Sequence, residues 1–459
     1  MKSTLQQLHP YIAGAVMAAD VSFDGISTDS RNVKPGNLFL ALRGEHYDAH
    51  DFLPQVAALG VAAVVAEYLP AGLDVPALVV PDTRIALGQI ATYWRRQFTL
   101  PVIGVTGSNG KTTVKEMIAS ILAAAYGAGH SLATRGNLNN DIGVPLTLFR
   151  LEQTHRAAVI ELGMNHPGEI ALLSSIAQPS IGLVNNAQRE HQEFMQSIEA
   201  VAEENGAVLR SLGPDSVAVF PADDPFSALW RTYAGQRRIV SFGLCSDADV
   251  SCTYQATTFG SALQVKIGTA SFGLQLAAAG SHNVRNALAA IACTHAIGIE
   301  VDAIVQGLEA FAPVNGRLQC KPARNGVTLI DDTYNANPDS VLAAIDVLKQ
   351  AAAPRILVLG DMGEVGNDGR RFHQEIGSYA HACGIDVIFT LGDLASDSSL
   401  AFGTGATHFD DIQALFKALD VRLAAGTTVL VKGSRFMKME RVVQYLALDN
   451  LTQKSQEVH

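Results

Sequence analysis

Cysteine is scarce in this chain of 459 residues, and the few cysteines form no motif. They are odd in number, widely spaced and without a Cys-x-x-Cys pair, at Cys245, Cys252, Cys293, Cys320 and Cys383. This spacing argues against a disulfide framework and against a cysteine-based metal or redox site. We therefore expect reduced, mostly buried thiols in a cytoplasmic protein.

Long apolar runs and excess positive charge are also missing. No run of about eighteen or more apolar residues lacks charge, and the N-terminus has no uninterrupted apolar core, so neither a membrane span nor a signal peptide is expected. Acidic residues outnumber basic ones by 44 to 33, and the net charge of −11 argues against binding to nucleic acid. An anionic ligand is still compatible, because a phosphate site needs only local N–H groups, a lysine and a metal ion.

The chain is too long for one hydrophobic core, and its pattern divides into three blocks. Residues 1–98 mix short apolar runs with glycine and proline, which predicts a small α/β domain. Residues 99–312 alternate apolar strands with helices, which predicts a parallel sheet, with an antiparallel appendage over 249–278. Residues 313–459 predict a second doubly wound, Rossmann-like domain. The fold class is therefore α/β with three domains.

The segment "PVIGVTGSNGKTTVKEMIASIL", residues 101–122, predicts a strand, a glycine-rich loop and a helix, which is the context of a phosphate-binding loop. The strict motif places its first glycine six positions before the lysine. Here Gly104 lies seven and Gly107 four positions before Lys111, so the strict motif is missed by one residue. Its physical requirements are met, since Lys111 can reach the β and γ phosphates and Thr112 offers Mg²⁺ a hydroxyl. The alternative is a glycine-rich turn followed by a surface lysine.

Two more polar residues follow predicted strands of the same sheet. Glu161 ends the strand "AAVIEL", and His191 follows "IGLVNN" after a short loop. Both should emerge at the edge that carries the glycine-rich loop, so Thr112, Glu161 and His191 are a candidate Mg²⁺ shell. The alternatives are that Glu161 caps the next helix and that His191 is an ordinary loop residue.

Polar clusters elsewhere are candidates for ligand contacts. The segment "GNLNNDIGVP" concentrates Asn139, Asn140 and Asp141, which suit a sugar or a peptide, although a turn with Asx caps gives the same pattern. Asp332 ends a predicted strand, where an acidic residue commonly meets a ribose hydroxyl. Arg317 could clamp a transferring phosphoryl group from another domain.

Taken together, these motifs resemble the Mur ligases of peptidoglycan synthesis over nearly the whole chain, and within them the F type. Eight strings in the family's order carry the resemblance: "TDSR" with "GNLFLALRGEHYDAHDF", "VTGSNGKTT", "GNLNNDIGVPLTL", "VIELGMNHPGEI", "GSHNVRNALAA", "DDTYNANPDS", "LGDMGEVG" and "VKGSR". The resemblance implies an N-terminal UDP-sugar-binding domain, a central ATPase and a C-terminal Rossmann-like domain. For the F type it implies ATP-dependent joining of D-alanyl-D-alanine to UDP-N-acetylmuramoyl-tripeptide through an acyl phosphate, in a cytoplasmic monomer.

The resemblance also implies roles for individual residues. The ATP phosphates would be held by Gly107, Ser108, Asn109, Gly110, Lys111, Thr112 and Thr113. Adenine, phosphate and ribose would be contacted by Asn283, Arg317 and Asp332, respectively, and Mg²⁺ by Thr112, Glu161 and His191. The catalytic candidates are Lys111, His191 and Arg317. The substrates would meet Ser30 and Arg31 at the UDP-sugar, Asn139, Asn140 and Asp141 in the central loop, and Ser434 at the incoming group.

One departure from the family concerns the metal site. Many members carry a lysine after the metal histidine, modified to a carbamate that bridges metal ions. No lysine lies between His191 and Arg210, and the matching place is Asn205. We hypothesise that Glu203, Glu204 or water supplies the missing oxygen ligands.

Two rival functions are tested by motif. The E type of the family, which adds a single amino acid, usually carries Asp-Asn-Pro-Arg, and a GTPase switch would show Asp-x-x-Gly and Asn-Lys-x-Asp. None of these strings occurs in the chain. We further expect ATP and the UDP-sugar peptide to close the third block onto the second, placing Arg317 and Asp332 at the nucleotide.

Overall fold

The computed structural model describes residues 1–448, so the end of the predicted third domain, 449–459, lies outside the described residues. The first unit contains β1 (Lys2–Thr4), α1 (Leu5–Leu8), β2 (Val16–Met17), β3 (Ser22–Asp24), β4 (Ile26–Ser27), β5 (Leu38–Leu40), α2 (Leu53–Ala58), β6 (Ala63–Ala66), β7 (Ala77–Val79) and α3 (Thr83–Arg95). Its main sheet has the order β2-β7-β6-β5-β4, and β1 pairs with β3 beside it.

The second unit is built on a sheet in the order β16-β15-β14-β13-β12-β11-β8-β10-β9. Its elements are β8 (Val102–Thr106), α4 (Lys111–Tyr126), β9 (Ser131–Ala133), α5 (Gly143–Leu148), β10 (Ala157–Glu161), α6 (Glu169–Ala177), β11 (Ile181–Val184), α7 (Gln192–Met195), α8 (Ile198–Asn205), α9 (Ala207–Arg210), β12 (Val217–Pro221), α10 (Ser227–Ala234), β13 (Arg238–Gly243), β14 (Val250–Thr257), β15 (Gly260–Ile267), β16 (Ala270–Leu276), α11 (Ser281–Ala296) and α12 (Val301–Glu309).

The pairing of these strands follows their sequence pattern. Strands β8 to β13 are parallel and their residues are almost all buried, as their apolar runs predict. Strands β14, β15 and β16 pair antiparallel, and burial alternates along most of β15, so the predicted antiparallel appendage over 249–278 is confirmed. Helices α4 and α11 cover one face of the sheet, where their apolar residues form a shared core.

The third unit is a second, mostly parallel sheet in the order β17-β18-β22-β19-β20-β21, with β17 antiparallel at the edge. Its elements are β17 (Gln319–Pro322), β18 (Thr328–Asp332), α13 (Pro338–Gln350), β19 (Arg355–Gly360), α14 (Gly369–Ala382), β20 (Val387–Leu391), α15 (Ala395–Phe402), β21 (Ala406–Phe409), α16 (Ile412–Arg422), β22 (Thr428–Lys432) and α17 (Glu440–Leu446). Short 3₁₀ turns across the chain occupy His9–Tyr11, Ala49–Phe52, Arg324–Gly326, Gly366–Asp368 and Arg435–Met437.

Helix α3 ties the first unit to the second. Its apolar residues share one core with α6, and the buried side chain of Arg95 donates to the carbonyl oxygens of Ala177 at 3.1 Å and Phe98 at 2.6 Å. Because carbonyls at a helix end and in a loop lack partners of their own, this arginine fixes how the two units meet.

The α/β fold class is confirmed by these sheets, whereas the domain boundaries at 98/99 and 312/313 stay predictions. Among residues 1–448, no helix is both long and apolar enough to span a bilayer.

Candidate active site

The candidate site lies where the carboxyl ends of three neighbouring strands meet. Strand β8 pairs with β10 and with β11, so the segments that follow all three emerge at one edge of the sheet. The loops after β18 and β19 of the third unit face this edge. Between the two units is a cavity of about 790 Å³, lined from both sides.

The glycine-rich loop has the shape that its sequence predicts. Gly110 has φ +83°, and a Cβ there would collide with the side chain of Asn286 and lie 2.7 Å from that of Asn185. The backbone N–H of Asn109 donates to Asn186 at 2.9 Å, which fixes the loop from the β11 side. Helix α4 begins directly afterwards, at Lys111, so its N-terminal N–H groups point toward the loop.

Lys111 lies mostly inside this loop, with 14% of its side chain exposed, rather than on the surface. Its Nζ atom donates to the carbonyls of Gly107 at 2.5 Å and Ser108 at 3.1 Å, and to Oε1 of Glu190 at 2.8 Å. The alternative of a surface lysine is therefore wrong. The lysine lines the cavity and holds a carboxylate that sequence analysis did not single out.

Glu161 is the last residue of β10 and is 2% exposed. Its Oε1 atom accepts hydrogen bonds from Asn139 at 2.9 Å and from Thr112 at 3.3 Å. Its Oε2 atom is buried and has no hydrogen-bond partner among residues 1–448. Glu161 does not cap the next helix, because Glu204 accepts the bonds from N–H groups at the start of α6.

His191 lies on the loop after β11 with φ +48°. Its Nδ1 atom is 2.6 Å from Oε2 of Glu364 in the third unit, and its Nε2 atom is 3.4 Å from Oε1 of Glu190. Burial opposes protonation of the ring, but these two carboxylates outweigh it and raise the pKa of His191 to about 9. Thr112 and Glu161 thus contact each other, whereas His191 contacts other carboxylates.

Arg317 reaches the glycine-rich loop from the third unit. Its Nη2 atom lies 3.4 Å from Oγ1 of Thr112, and its guanidinium stacks 4.1 Å above the ring of Tyr334. Its Nε atom is buried without a hydrogen-bond partner within the described part of the chain. A cation held this way, with an unsatisfied donor beside a phosphate-type loop, suits an anionic ligand.

Asp332 and Asn283 line the cavity, but their polar atoms already have partners. Asp332 accepts from the N–H of Leu318 at 3.1 Å and from Nζ of Lys432 at 2.6 Å. Asn283 donates to the carbonyl of Ala279 at 2.7 Å. A ribose hydroxyl at Asp332 would therefore share the carboxylate with a buried lysine, which sequence analysis missed.

The predicted substrate residues are spread more widely. Asn139, Asn140 and Asp141 all line the cavity. The Oδ1 atom of Asn140 also accepts from the N–H of Gly143 at 2.8 Å in the turn before α5, as the Asx alternative predicts. Asp141 is paired with Arg84 of α3. Ser434 is 3% exposed. Its hydroxyl accepts from the backbone N–H of Gly363 and donates to the carbonyl of Ala336.

Ser30 and Arg31 lie in the first unit, outside the residues that line this cavity. Arg31 is exposed and is paired with Asp29, its neighbour two residues back.

The position at which many family members carry the modified lysine is filled here by a buried asparagine. Asn205 is fully buried, and its Oδ1 atom accepts from Oγ1 of Thr106 at 2.6 Å. Glu204 uses both carboxylate oxygens on the N–H groups of Gly168 and Ile170, at 2.8 Å each. Glu203 is exposed. These contacts do not support Glu204 as a metal ligand, and Glu203 points to solvent, so the hypothesis that either of them binds the metal stays a prediction.

Comparison with known proteins agrees with this arrangement. The family described as "Mur ligase middle domain" matches residues 105–294, "Mur ligase, glutamate ligase domain" matches 316–435, and "Mur ligase family, catalytic domain" matches 22–95. The chain belongs to the Mur ligase family.

Particular relatives lie within one branch of that family. The chain is 40% identical to a UDP-N-acetylmuramoyl-tripeptide–D-alanyl-D-alanine ligase of Escherichia coli, over 96% of this chain and 98% of that protein. A crystal structure of MurF from Acinetobacter baumannii superposes with a TM-score of 0.90 at 37% identity, covering 97% of this chain and 98% of that one. MurF ligase from Thermotoga maritima in complex with ADP gives a TM-score of 0.83 at 26% identity, covering 92% and 96%.

Proposed function

We propose that this chain is an ATP-dependent, ADP-forming ligase that joins D-alanyl-D-alanine to UDP-N-acetylmuramoyl-tripeptide in peptidoglycan precursor synthesis. The names of the relatives support these substrates, and the ADP complex of one structural relative supports the nucleotide. The observation that carries the proposal is the meeting of Lys111 and Thr112 from one sheet with Arg317 from the other at a single cavity.

The side chains present fit a polyphosphate and Mg²⁺. Magnesium prefers oxygen ligands and usually takes one or two carboxylates together with substrate phosphates, so it needs no preformed acidic cage. Glu161 offers a buried oxygen without a partner among the described residues, and the hydroxyl of Thr112 lies beside it. We assign Thr112 and Glu161 to the ion, with His191 contributing from its loop once its ring has released its proton. When bound, Mg²⁺ would neutralise phosphate charge.

In this proposal the protein supplies position and charge. Lys111 turns from the loop carbonyls to the β and γ phosphates, while Arg317 approaches from the opposite unit. A carboxylate is a poor acyl donor until one of its oxygens becomes part of a phosphate leaving group. The γ-phosphoryl group therefore moves to the tripeptide carboxylate, and the amine of D-alanyl-D-alanine then attacks the acyl carbon and releases phosphate.

The remaining assignments follow the same layout. Gly107, Ser108, Asn109, Gly110 and Thr113 would complete the phosphate site, and Asn283 and Asp332 would face the nucleoside. Asn139, Asn140 and Asp141 would face the tripeptide, Ser30 and Arg31 the UDP-sugar, and Ser434 the dipeptide. All of these come from one chain, so we propose a monomeric catalytic unit, and its nucleotide substrates place it in the cytoplasm.

A substrate panel tests the proposal. Purified protein is given ATP, Mg²⁺ and UDP-N-acetylmuramoyl-tripeptide, and ADP release is measured with D-alanyl-D-alanine or with single amino acids. We expect release with the dipeptide, and a product whose mass is the sum of the two substrates minus water. Stimulation by a single amino acid alone would assign the chain to the E type. Nucleotide binding without any ligation product would favour a switch or binding module.

A further inference from the structure

Glu190 is a buried carboxylate in the cavity to which no role has yet been given. It lies on the loop between β11 and α7 and is 8% exposed. Its Oε1 atom lies 2.8 Å from Nζ of Lys111 and 3.4 Å from Nε2 of His191. Its Oε2 atom is buried and has no hydrogen-bond partner in the described part of the chain. Burying a carboxylate oxygen without a partner costs free energy, so the site is incomplete as it stands.

The residues around the position of the family's modified lysine are not available in the same way. Glu204 caps α6 with both oxygens, Glu203 faces solvent, and Asn205 is a neutral side chain bonded to Thr106. Among residues 1–448, Glu161 is the other cavity-lining carboxylate with a buried oxygen that has no hydrogen-bond partner. Glu161 ends β10, and Glu190 lies on the loop after β11; these two strands flank β8, which leads into the glycine-rich loop.

The charges in this region require a cation once a polyphosphate is present. Without nucleotide, Lys111 neutralises Glu190. When Lys111 turns to the phosphates, Glu190 loses its 2.8 Å partner, keeps the more distant His191 at 3.4 Å, and lies beside phosphate anions in a site of low dielectric constant. Like charges at short range are strongly unfavourable there unless a counter-ion lies between them. Mg²⁺ held by one or two carboxylates together with phosphate oxygens meets that requirement.

We infer that Glu190 is a ligand of the divalent cation that accompanies the nucleotide, released to the ion when Lys111 moves to the phosphates. This inference rests on the proposed function, because it assumes a nucleotide at the loop. It assigns to Glu190 the negative oxygen donor that this chain lacks at Asn205.

A metal-binding measurement tests the inference without relying on activity. Mn²⁺ replaces Mg²⁺, a non-hydrolysable ATP analogue is supplied, and the affinity for Mn²⁺ is measured by electron paramagnetic resonance. The variant is Glu190→Gln, which keeps the shape and removes the charge. The matched control is Glu203→Gln, which removes the same charge from an exposed position on the neighbouring helix. Glu190→Asp keeps the charge on a shorter side chain.

Loss of a partner that merely orients a metal ligand costs about 10- to 100-fold in metal affinity, so loss of a direct ligand should cost at least about tenfold. We expect Glu190→Gln to weaken Mn²⁺ binding by that factor, Glu190→Asp to retain part of the affinity, and Glu203→Gln to match the wild type. In the absence of metal, Glu190→Gln should bind the analogue at least as tightly as the wild type, because Lys111 no longer has a competing carboxylate.

Each contrary result has a separate meaning. Unchanged Mn²⁺ affinity in Glu190→Gln would overturn the inference and leave the proposed function intact. Equal loss of Mn²⁺ and metal-free nucleotide binding, with a lowered thermal midpoint, would show a structural role and would also overturn it. If the wild-type protein binds no nucleotide with or without Mn²⁺, the proposed function fails, and this inference falls with it.

Discussion

The guanidinium of Arg189 holds the carboxylate of Asp339 across the cavity, between two residues 150 positions apart in the chain. The Nη2–Oδ1 distance is 2.7 Å, and the backbone N–H of Arg189 donates to the other oxygen at 2.8 Å. A second carboxylate, that of Glu375, lies 2.7 Å from Nη1. Arg189 is on the loop that carries Glu190 and His191. Asp339 and Glu375 of the third unit therefore bind the loop that faces the candidate nucleotide site.

Removing the ion pairs of Arg189 should weaken the contact between the second and third units. In Arg189→Ala, two partly buried carboxylates lose their cation, at a cost of about 1–3 kcal/mol. We expect a larger radius of gyration by small-angle scattering without ligands and a raised KM for ATP. Arg371→Ala is the control, because its pair with Asp368 is exposed. An unchanged radius of gyration and KM in Arg189→Ala would contradict this role.

We also predict that the second and third units close onto each other when substrates bind, and small-angle scattering tests this as well. The two units already touch through Arg317 and Thr112 and through Asn337 and Asn109, whose amides are 3.0 Å apart. We expect ATP with the UDP-linked substrate to reduce the radius of gyration of the wild type further. No change in the ternary complex would argue against closure.

Gly110 should not tolerate a side chain, for two separable reasons. Its φ of +83° disfavours alanine by about 1–2 kcal/mol, and a Cβ would collide with Asn286. Gly129 has φ +85° but open space around it, so Gly129→Ala isolates the backbone cost. We expect Gly110→Ala to lose more stability than Gly129→Ala in chemical unfolding, and to lose nucleotide affinity as well. Equal effects of the two substitutions would show that the close packing at Gly110 is unimportant.

The pair between His191 and Glu364 should make stability depend on pH. Burial alone would lower the pKa of His191, but Glu190 and Glu364 raise it to about 9 in the folded protein. Because the pKa of His191 is higher in the folded protein than in the unfolded chain, its ion pairs stabilise the fold fully below the unfolded pKa of about 6.5. This contribution is lost as the pH rises through about 9. We expect Glu364→Gln to lower the free energy of unfolding by about 1–2 kcal/mol at pH 6, since Glu364 is half-exposed. The loss should be smaller at pH 9.5, and a loss independent of pH would contradict the assignment.

The elements of this fold could be predicted from local patterns, whereas several partners could not. The apolar run Val102 to Val105, the glycine-rich loop and the helix after it can be predicted from the sequence because each depends on neighbours a few residues away. Glu161 could be placed for the same reason, since a carboxylate after an apolar strand must emerge at the sheet edge. The side-chain partner of Lys111, in contrast, comes from a loop 79 residues further on.

Partners across the units depend on how the two sheets dock, which no local pattern encodes. The segment "NNAQREHQEF" drew attention only to its histidine, although Arg189 and Glu190 have the more extensive contacts. Asn140 and Ser434 are predicted to face substrate, yet each has a side-chain oxygen bonded to backbone groups: Oδ1 of Asn140 to Gly143, and Oγ of Ser434 to Gly363 and Ala336. Small polar residues in turns satisfy backbone groups as readily as ligands, so their sequence pattern is ambiguous.

Transfer of the γ-phosphoryl group to the substrate carboxylate is the central claim, and oxygen isotopes test it most directly. UDP-N-acetylmuramoyl-tripeptide is labelled with oxygen-18 in its terminal carboxylate and incubated with the protein, ATP, Mg²⁺ and D-alanyl-D-alanine. If the carboxylate oxygen attacks the γ phosphorus, it leaves with phosphate when the amine attacks the acyl carbon. We predict that the inorganic phosphate carries one labelled oxygen from the peptide. Unlabelled phosphate formed alongside the ligated product would contradict activation of the acid by ATP.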